Sequence, residues 1–441
     1  MLRSERRVVI TGLGLITPIG TGPDAFWAAL AAGRSGVRKI AAFPVEGLPS
    51  DLAAEVLDFN EKTAKALALP KYKKVLSKSL KYMARDILLA VSAAQLAVAD
   101  AGLADGGVDP TRIGVDLGAG LISTELDELA PAIVHATKAS GEFDYHVYGS
   151  EGIPRINPLW LLKYLPNMLA CHISILIDCQ GPSNTITEAE AASNTAIGEA
   201  ARIIGRGRAD VMVSGGADSK IHPLSLIRMS LLGQTTRWAG DPSKGCRPFD
   251  VGRDGTVPGE GAGIMILEER EHALARGARI HGEVLGFGSG CDASAAGGLD
   301  PDGVGTEIAI RAALRDAGLA PGDVGHVNAH GLGTPVSDLA EARALHRVFG
   351  PGGSVPVTAL KGYLGNLVSG CGAVELIGSL LGVAHGLIPP VLNCDHPDPA
   401  CDLDLVVGAP RPTDNPIFLK TNLTRHGQAA ALVVEGPRRP A

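Results

Sequence analysis

The chain has 441 residues, of which 45 % are hydrophobic, 20 % are charged and 4 % are aromatic, and its formal net charge is −7. These values are ordinary for a globular protein with a large core, and the length exceeds that of one average domain. They argue against general nucleic-acid binding, and no apolar run is long enough to predict a membrane span. The seven cysteines form no C-x-x-C pair, which predicts reduced thiols in a cytoplasmic protein without a metal site.

The first predicted elements are a strand and a basic segment. The apolar run 8–16 contains two glycines and ends at Thr17-Pro18, which favours a first strand and its turn over a signal peptide. Farther along, residues 62–85 contain eight basic and no acidic side chains. This basic segment predicts either a solvated helix face or a docking surface for an acidic partner.

A short motif occurs twice and indicates two similar halves. Ala99-Asp-Ala-Gly-Leu103 recurs as Arg315-Asp-Ala-Gly-Leu319. Each copy ends a predicted helix and precedes a predicted strand: 80–101 then 113–117 in the first half, 307–317 then 324–328 in the second. Each half also contains a second predicted helix, over 190–204 and 370–384. Strands that alternate with helices predict a layered α/β fold.

Five further motifs occur in a fixed order along the chain: the segment 181–193, Arg247-Pro-Phe-Asp250, Gly259-Glu-Gly-Ala-Gly263, Val327-Asn-Ala-His-Gly331 and Lys361-Gly-Tyr-Leu-Gly365. Together they resemble the β-ketoacyl-[acyl-carrier-protein] synthases of the thiolase superfamily over essentially the whole chain. The resemblance implies a thiolase fold, with duplicated α/β halves (here 1–260 and 261–441) in α-β-α-β-α layers around two buried helices. It also implies that residues 121–166 form much of a dimer interface.

The resemblance implies a site to which both halves contribute. β-Ketoacyl synthases use a cysteine thiolate at a helix N-terminus, two histidines that donate to an enolate, and a lysine and a carboxylate that hold them. In this sequence Glu190 stands at the cysteine position, His330 at the first histidine and Asn366 at the second. The matching supporting residues are the lysine, its carboxylate and an acidic pair: Lys361, Glu375, Asp338 and Glu341.

The resemblance further implies that an acyl carrier protein delivers the acyl group on its phosphopantetheine arm, so no other cofactor is expected. The family's T-S-T motif, whose threonines hold that arm, is here Leu332-Gly-Thr334. The family's glycine-rich gate is replaced by a segment that contains Arg425 and His426. Docking of the carrier protein is expected within the basic segment, at Lys71, Lys73 and Lys74.

Glu190 decides the predicted activity. A carboxylate that attacked a thioester would have to displace a more basic thiolate and form a high-energy anhydride, so condensation is not expected. Neither Cys171, on a strand-like stretch, nor Cys371 is expected to replace the thiol. The sequence therefore predicts a chain-length-factor-type protein, in a heterodimer with a cysteine-bearing ketosynthase or in a homodimer. The alternative is a malonyl-carrier-protein decarboxylase, or an acyl-thioester hydrolase, that uses Glu190, His330 and Asn366.

Overall fold

The structure is a computed structural model that describes residues 6–293, 298–350 and 355–438. Its strands are β1 Val8–Thr17, β2 Gly20–Thr21, β3 Val37–Lys39, β4 Leu52–Ala54, β5 Ile113–Ala119, β6 Ser183–Ile186, β7 Val211–Ser219, β8 Glu260–Glu269, β9 Gly282–Cys291, β10 His326–Asn328, β11 Val357–Thr358, β12 Leu387–Ile388, β13 Arg411–Pro412, β14 Ile417–Leu423 and β15 Gln428–Glu435. Its helices are α1 Pro23–Ala31, α2 Glu61–Leu67, α3 Lys73–Ser79, α4 Arg85–Asp100, α5 Leu126–His135, α6 Tyr145–Val147, α7 Trp160–Tyr164, α8 Met168–Ile177, α9 Ala192–Gly205, α10 Pro223–Leu231, α11 Arg270–Ala275, α12 Val304–Ala317, α13 Pro335–Phe349, α14 Lys361–Leu364 and α15 Cys371–His385.

One mixed sheet runs through the molecule, and its two halves have the same internal order. The order is β11-β10-β14-β15-β9-β1-β8-β7-β5-β6, with β2 paired to β1. In each half the outer three strands are parallel and the inner pairings are antiparallel. Within the sheet, the two sets of strands join where Val8–Ile10 pairs with Gly282–Val284. Strand β8 begins at residue 260 and pairs with β1 and β7 of the first half. The domain division at 260/261 stays a prediction.

Glycines bring equivalent helices onto equivalent strands in the two halves. A Cβ added at Gly12 or Gly14 of β1 would lie 2.2 or 1.9 Å from a carbonyl oxygen of α4. At Gly286 and Gly288 of β9, the corresponding distances to carbonyl oxygens of α12 are 2.4 and 2.2 Å. Glycine is needed where two backbones approach this closely. The two glycines of the first strand thus serve strand–helix packing, and the second half repeats the device.

Three large hydrophobic clusters fill the space between the strands and the helices. Helices α4 and α8 pack on one face of β5, β7 and β8, and α12 and α13 pack on β10, β14 and β15. Helices α9 and α15 lie between these strands in the central cluster. They approach closely, because the Ala373 N–H donates to Ser193 Oγ at 3.2 Å. By length and composition Val368–His385 could cross a membrane, but 83 % of this stretch is buried inside the fold, as its central position requires.

Two expectations need correction. The strand-like interpretation of the stretch around Cys171 is wrong, because Met168–Ile177 forms the helix α8. A short apolar run does not distinguish a buried helix from a buried strand. The first predicted helix begins at Arg85 rather than at residue 80, since residues 80–82 form a separate 3₁₀ turn.

The segment 121–166 contains α5, α6 and α7 and exposes many apolar side chains: Leu121, Leu126, Ile133, Val134, Tyr145, Ile153, Leu159, Leu161, Leu162 and Leu165.

Candidate functional site

Glu190 lies at the entrance of the first central helix. It is on a short 3₁₀ turn, Ala189–Ala191, that leads directly into α9. Ala189 has a φ of 42°, a left-handed conformation that costs a non-glycine residue free energy and is often found at functional sites. The Glu190 side chain is buried, and its Oε1 accepts a hydrogen bond from Asn366 Nδ2 at 3.1 Å. Glu190 of the first half and Asn366 of the second half are therefore in direct contact at the site.

Asn366 is held rigidly in place by its surroundings. Its backbone N–H donates to Val257 O at 2.7 Å, and its side-chain Oδ1 accepts from the Val368 N–H at 3.1 Å. The same Oδ1 accepts from the Cys371 thiol at 3.2 Å. With its amide oriented by these two donors, Asn366 presents its NH₂ group to Glu190. An amide at this position donates hydrogen bonds, but it cannot exchange a proton as an imidazole can.

His330 follows β10 and is fully buried. Its Nδ1 lies 3.1 Å from the Lys361 ammonium and 2.9 Å from Asn422 Nδ2. An ammonium can only donate, so Nδ1 accepts and the ring proton belongs on Nε2. Burial lowers the pKa of His330 well below its usual value, and the positive charges of Lys361 and Lys420 lower it further, so the ring is neutral. Among the described residues, Nε2 has no hydrogen-bond partner.

Behind His330, one carboxylate is held between two buried lysines. Glu375 Oε1 lies 2.7 Å from Lys361 Nζ, and its Oε2 lies 2.7 Å from Lys420 Nζ. Burial raises the pKa of Glu375, but the two ammonium groups outweigh burial and lower it. Burial lowers the pKa of Lys361, but the negative groups around it outweigh burial and raise it. Burial dominates at Lys420 and lowers its pKa. Lys420 was not among the predicted site residues; a lone lysine after three apolar residues of β14 indicates a buried charge but not its partner.

Two acidic residues fix the loop after His330. Glu341 accepts hydrogen bonds from the N–H groups of His330 and Gly331 at 2.8 and 2.9 Å. Asp338 accepts from the N–H groups of Phe249 and Gly333 at 2.9 and 3.0 Å. Burial raises the pKa of Asp338 to about 6. Both carboxylates therefore accept hydrogen bonds from backbone N–H groups, and neither points a free oxygen at the site.

Cys371 is the only described thiol for which a hydrogen bond to the Glu190–Asn366 pair is found, through Asn366 Oδ1. It is the first residue of α15 and directly follows the 3₁₀ turn Val368–Gly370, whereas Glu190 lies within the equivalent turn before α9. The thiol is fully buried, and burial raises its pKa, so it remains protonated. A protonated, inaccessible thiol is a poor nucleophile, which agrees with the expectation for Cys371.

Comparison with known proteins identifies the family. Residues 5–273 match the N-terminal domain model of β-ketoacyl synthases, and residues 281–395 match the C-terminal domain model. The chain belongs to the β-ketoacyl synthase family. It is 36 % identical to 3-oxoacyl-[acyl-carrier-protein] synthase 2 of Synechocystis over 92 % of both chains. It is 33 % identical to the synthase 2 of Staphylococcus aureus over 98 % of this chain and 99 % of that protein.

Solved structures confirm the thiolase-like ketosynthase fold. A β-ketoacyl synthase from Burkholderia phymatum superposes with a TM-score of 0.86 at 32 % identity, covering 98 % of this chain and 100 % of that one. The ishigamide ketosynthase/chain length factor gives a TM-score of 0.82 at 32 % identity, over 98 % and 99 % of the two chains. A type II polyketide ketosynthase in complex with its acyl-carrier protein gives 0.80 at 28 % identity, over 98 % and 99 %.

The positions expected to bind substrate are divided between the interior and the surface. Leu332 is buried, and Thr334 is the N-cap of α13, where its Oγ1 accepts from the Ser337 N–H at 3.4 Å. Arg425 and His426 lie exposed on the tight turn between β14 and β15. The structure thus brings Glu190 and Asn366 together and places Arg425 and His426 outside this buried cluster.

Six of the eight basic residues of the basic segment are exposed, and Lys65 and Arg85 are partly buried. Lys71, Lys73 and Lys74 lie at the surface, at and before the start of α3. Arg85, in contrast, turns inward and its Nε lies 2.5 Å from Glu260 Oε2. The guanidinium also donates to Phe59 O and Val56 O, both at 2.9 Å. Arg85, the eighth basic residue of the segment, is therefore partly buried and its guanidinium is held by Glu260 and by backbone carbonyl groups.

Proposed function

We propose that this protein is a non-condensing member of the β-ketoacyl synthase family that works beside an active, cysteine-bearing ketosynthase, as chain length factors do. The observation that carries the proposal is the Glu190 carboxylate, which lies at the entrance of α9 and is bonded to Asn366. A carboxylate there would have to form an anhydride to accept an acyl group, and Cys371 is buried and protonated. A ketosynthase/chain length factor among the similar structures supports the proposal.

The second subunit has a suitable surface to bind. The exposed apolar side chains of the segment 121–166 lie near those of α10, because Ser123 Oγ and Ser225 Oγ are 2.8 Å apart. Helix α10 and the residue after it expose Leu224, Ile227, Leu231 and Leu232. Many exposed apolar side chains on neighbouring parts of the chain are typical of a protein–protein interface. We propose a ketosynthase-type subunit as its occupant; whether the dimer is homomeric or heteromeric is decided by the experiment below.

An acyl carrier protein is the proposed second partner, delivering its acyl group on the phosphopantetheine arm without any other cofactor. Lys71, Lys73 and Lys74 form an exposed one-sign surface, which favours encounter with an acidic protein. The similar polyketide ketosynthase solved in complex with its carrier protein supports this choice. The arm would pass Leu332 and Thr334 and the turn that carries Arg425 and His426. A cytoplasmic location stays a prediction.

Two measurements test the proposed function. Co-expression with cysteine-bearing ketosynthases from the same genome, followed by size-exclusion chromatography with mass determination, should give a 1:1 heterodimer. Intact-mass analysis after exposure to acyl-carrier protein should show no acyl group on this chain, whereas the matched variant Glu190→Cys should acquire one. A stable homodimer that binds none of these ketosynthases, or an acyl adduct on the wild-type chain, would refute the proposal.

A second candidate function is decarboxylation of a malonyl-carrier protein, and a specific observation favours it. The Nε2–H of His330 has no partner among the described residues, so it is available to an enolate oxygen. The Glu190 carboxyl carbon is also as many bonds from Cα as the acyl carbon of an acylated cysteine, so its side chain resembles an acyl-enzyme in length. Release of CO₂ that is lost in His330→Ala would support this function; release of free malonate would instead indicate hydrolysis, with Glu190 as general base.

A further inference from the structure

Strand β14 places a charged side chain where its neighbours are apolar. Ile417, Phe418 and Leu419 precede Lys420, and the lysine is fully buried. Its ammonium contacts Glu375 Oε2 at 2.7 Å and donates to Thr421 O at 2.8 Å. It also donates to the carbonyl oxygens of Asn328 and Ala329 at 3.3 and 3.2 Å. A buried ammonium is tolerated only with such a set of acceptors.

These acceptors connect Lys420 to His330 by two routes. Asn328 and Ala329 are the two residues that precede His330, so their carbonyl groups set the path of the backbone into the histidine. Glu375 is the other route, because the opposite oxygen of its carboxylate holds Lys361, which contacts His330 Nδ1. The other titratable groups that interact with the two lysines are Glu190 and Cys371, near Lys361, and Glu341, near Lys420.

We propose that Lys420 is a positioning residue of this site: through Glu375 and the Asn328–Ala329 backbone it keeps Lys361 on Nδ1 of a neutral His330 whose proton points outward from Nε2. Lys420 also shares the Glu375 carboxylate with Lys361, so that Lys361 does not hold this carboxylate alone. Lys361 alone would face the carboxylates of both Glu375 and Glu190, and it could then move from His330 toward either of them. The proposal deepens the second candidate function, but its test does not require that activity.

The test is ¹⁵N NMR of protein labelled at its 12 histidines, with the His330 signals assigned by their loss in His330→Gln. The wild-type ring should be neutral with its proton on Nε2 between about pH 5 and pH 8. In Lys420→Met, removal of a nearby positive charge should favour protonation, so imidazolium signals should appear at about pH 5. Lys420→Gln, which keeps a donor for the carbonyl groups, should give the same change if Lys420→Met does not fold.

Arg276→Met is the matched control, because Arg276 also pairs with a fully buried carboxylate, Glu268, outside the site. It should lower stability and leave the His330 signals unchanged. In a Glu375→Gln background, the spectral effect of removing Lys420 should shrink, since one of its two routes is gone. The proposal is overturned if the wild-type proton lies on Nδ1, or if a folded Lys420 variant keeps the wild-type His330 signals down to about pH 5.

Discussion

A substitution of Arg85 distinguishes the docking role expected from the sequence pattern from the stabilising role seen in the structure. By sequence it belongs to the basic segment, but in the structure it pairs with Glu260, whose side chain is 1 % exposed. Arg85→Met would remove this pair and the two bonds to Phe59 O and Val56 O, and it would leave Glu260 with Ser219 Oγ and the Val56 N–H as partners. The substitution should therefore destabilise the fold without changing carrier-protein binding.

The expected magnitude follows from burial. Removing one partner of a fully buried ion pair costs about 3–5 kcal/mol, but the Arg85 side chain is 34 % exposed, so we expect about 2–3 kcal/mol. An unfolding entropy of about 2.1 cal/mol/K per residue gives roughly 0.9 kcal/mol/K for 441 residues. The melting temperature should therefore fall by about 2–3 °C.

The assay combines thermal unfolding with carrier-protein binding by calorimetry. Lys81→Met serves as control, since Lys81 is exposed and only lies over the Tyr82 ring at 4.8 Å. It should change the melting temperature by less than about 0.5 °C. Arg85 would not have the proposed structural role if Arg85→Met melts like the wild type, or if Arg85→Met weakens carrier-protein binding while its stability is unchanged.

Three further predictions concern binding, packing and pH. The double variant Lys73→Glu/Lys74→Glu should weaken carrier-protein binding about tenfold at low salt and less at high salt, measured by calorimetry, with an unchanged melting temperature. Gly198→Ala would place a Cβ 2.2 Å from the Phe287 ring and should cost about 1–3 kcal/mol in urea unfolding, whereas Gly322→Ala, with open space around it, should not. Asp116→Asn should raise the melting temperature at about pH 8 and leave it nearly unchanged at about pH 4, because burial, with the charge of Glu199, raises the pKa of Asp116 to about 7 and stability is lost as pH rises through that value; equal shifts at both pH values would contradict it.

The motifs predicted which side chains would meet because each one belongs to a fixed place in a repeated topology. The register that puts Glu190 at one central helix also puts Asn366 before the other, and the structure joins them at 3.1 Å. The inward turn of Arg85 and the burial of Lys420 could not be predicted in this way. Each depends on a carboxylate far away along the chain, Glu260 or Glu375, and a local charge pattern carries no information about such partners.

Two charged residues of the site, Glu190 and Lys420, are best understood together. Glu190 brings a carboxylate into a buried site, and an unbalanced buried charge is costly. Lys420 brings a buried ammonium whose contact is with Glu375, so that Lys361 is not the only cation available to two carboxylates. If the charges compensate each other, Glu190→Gln and Lys420→Met should each destabilise the protein. The free energy of unfolding lost in the double variant should then be smaller than the sum of the two single losses. Additive losses in urea unfolding would show instead that the two substitutions are independent.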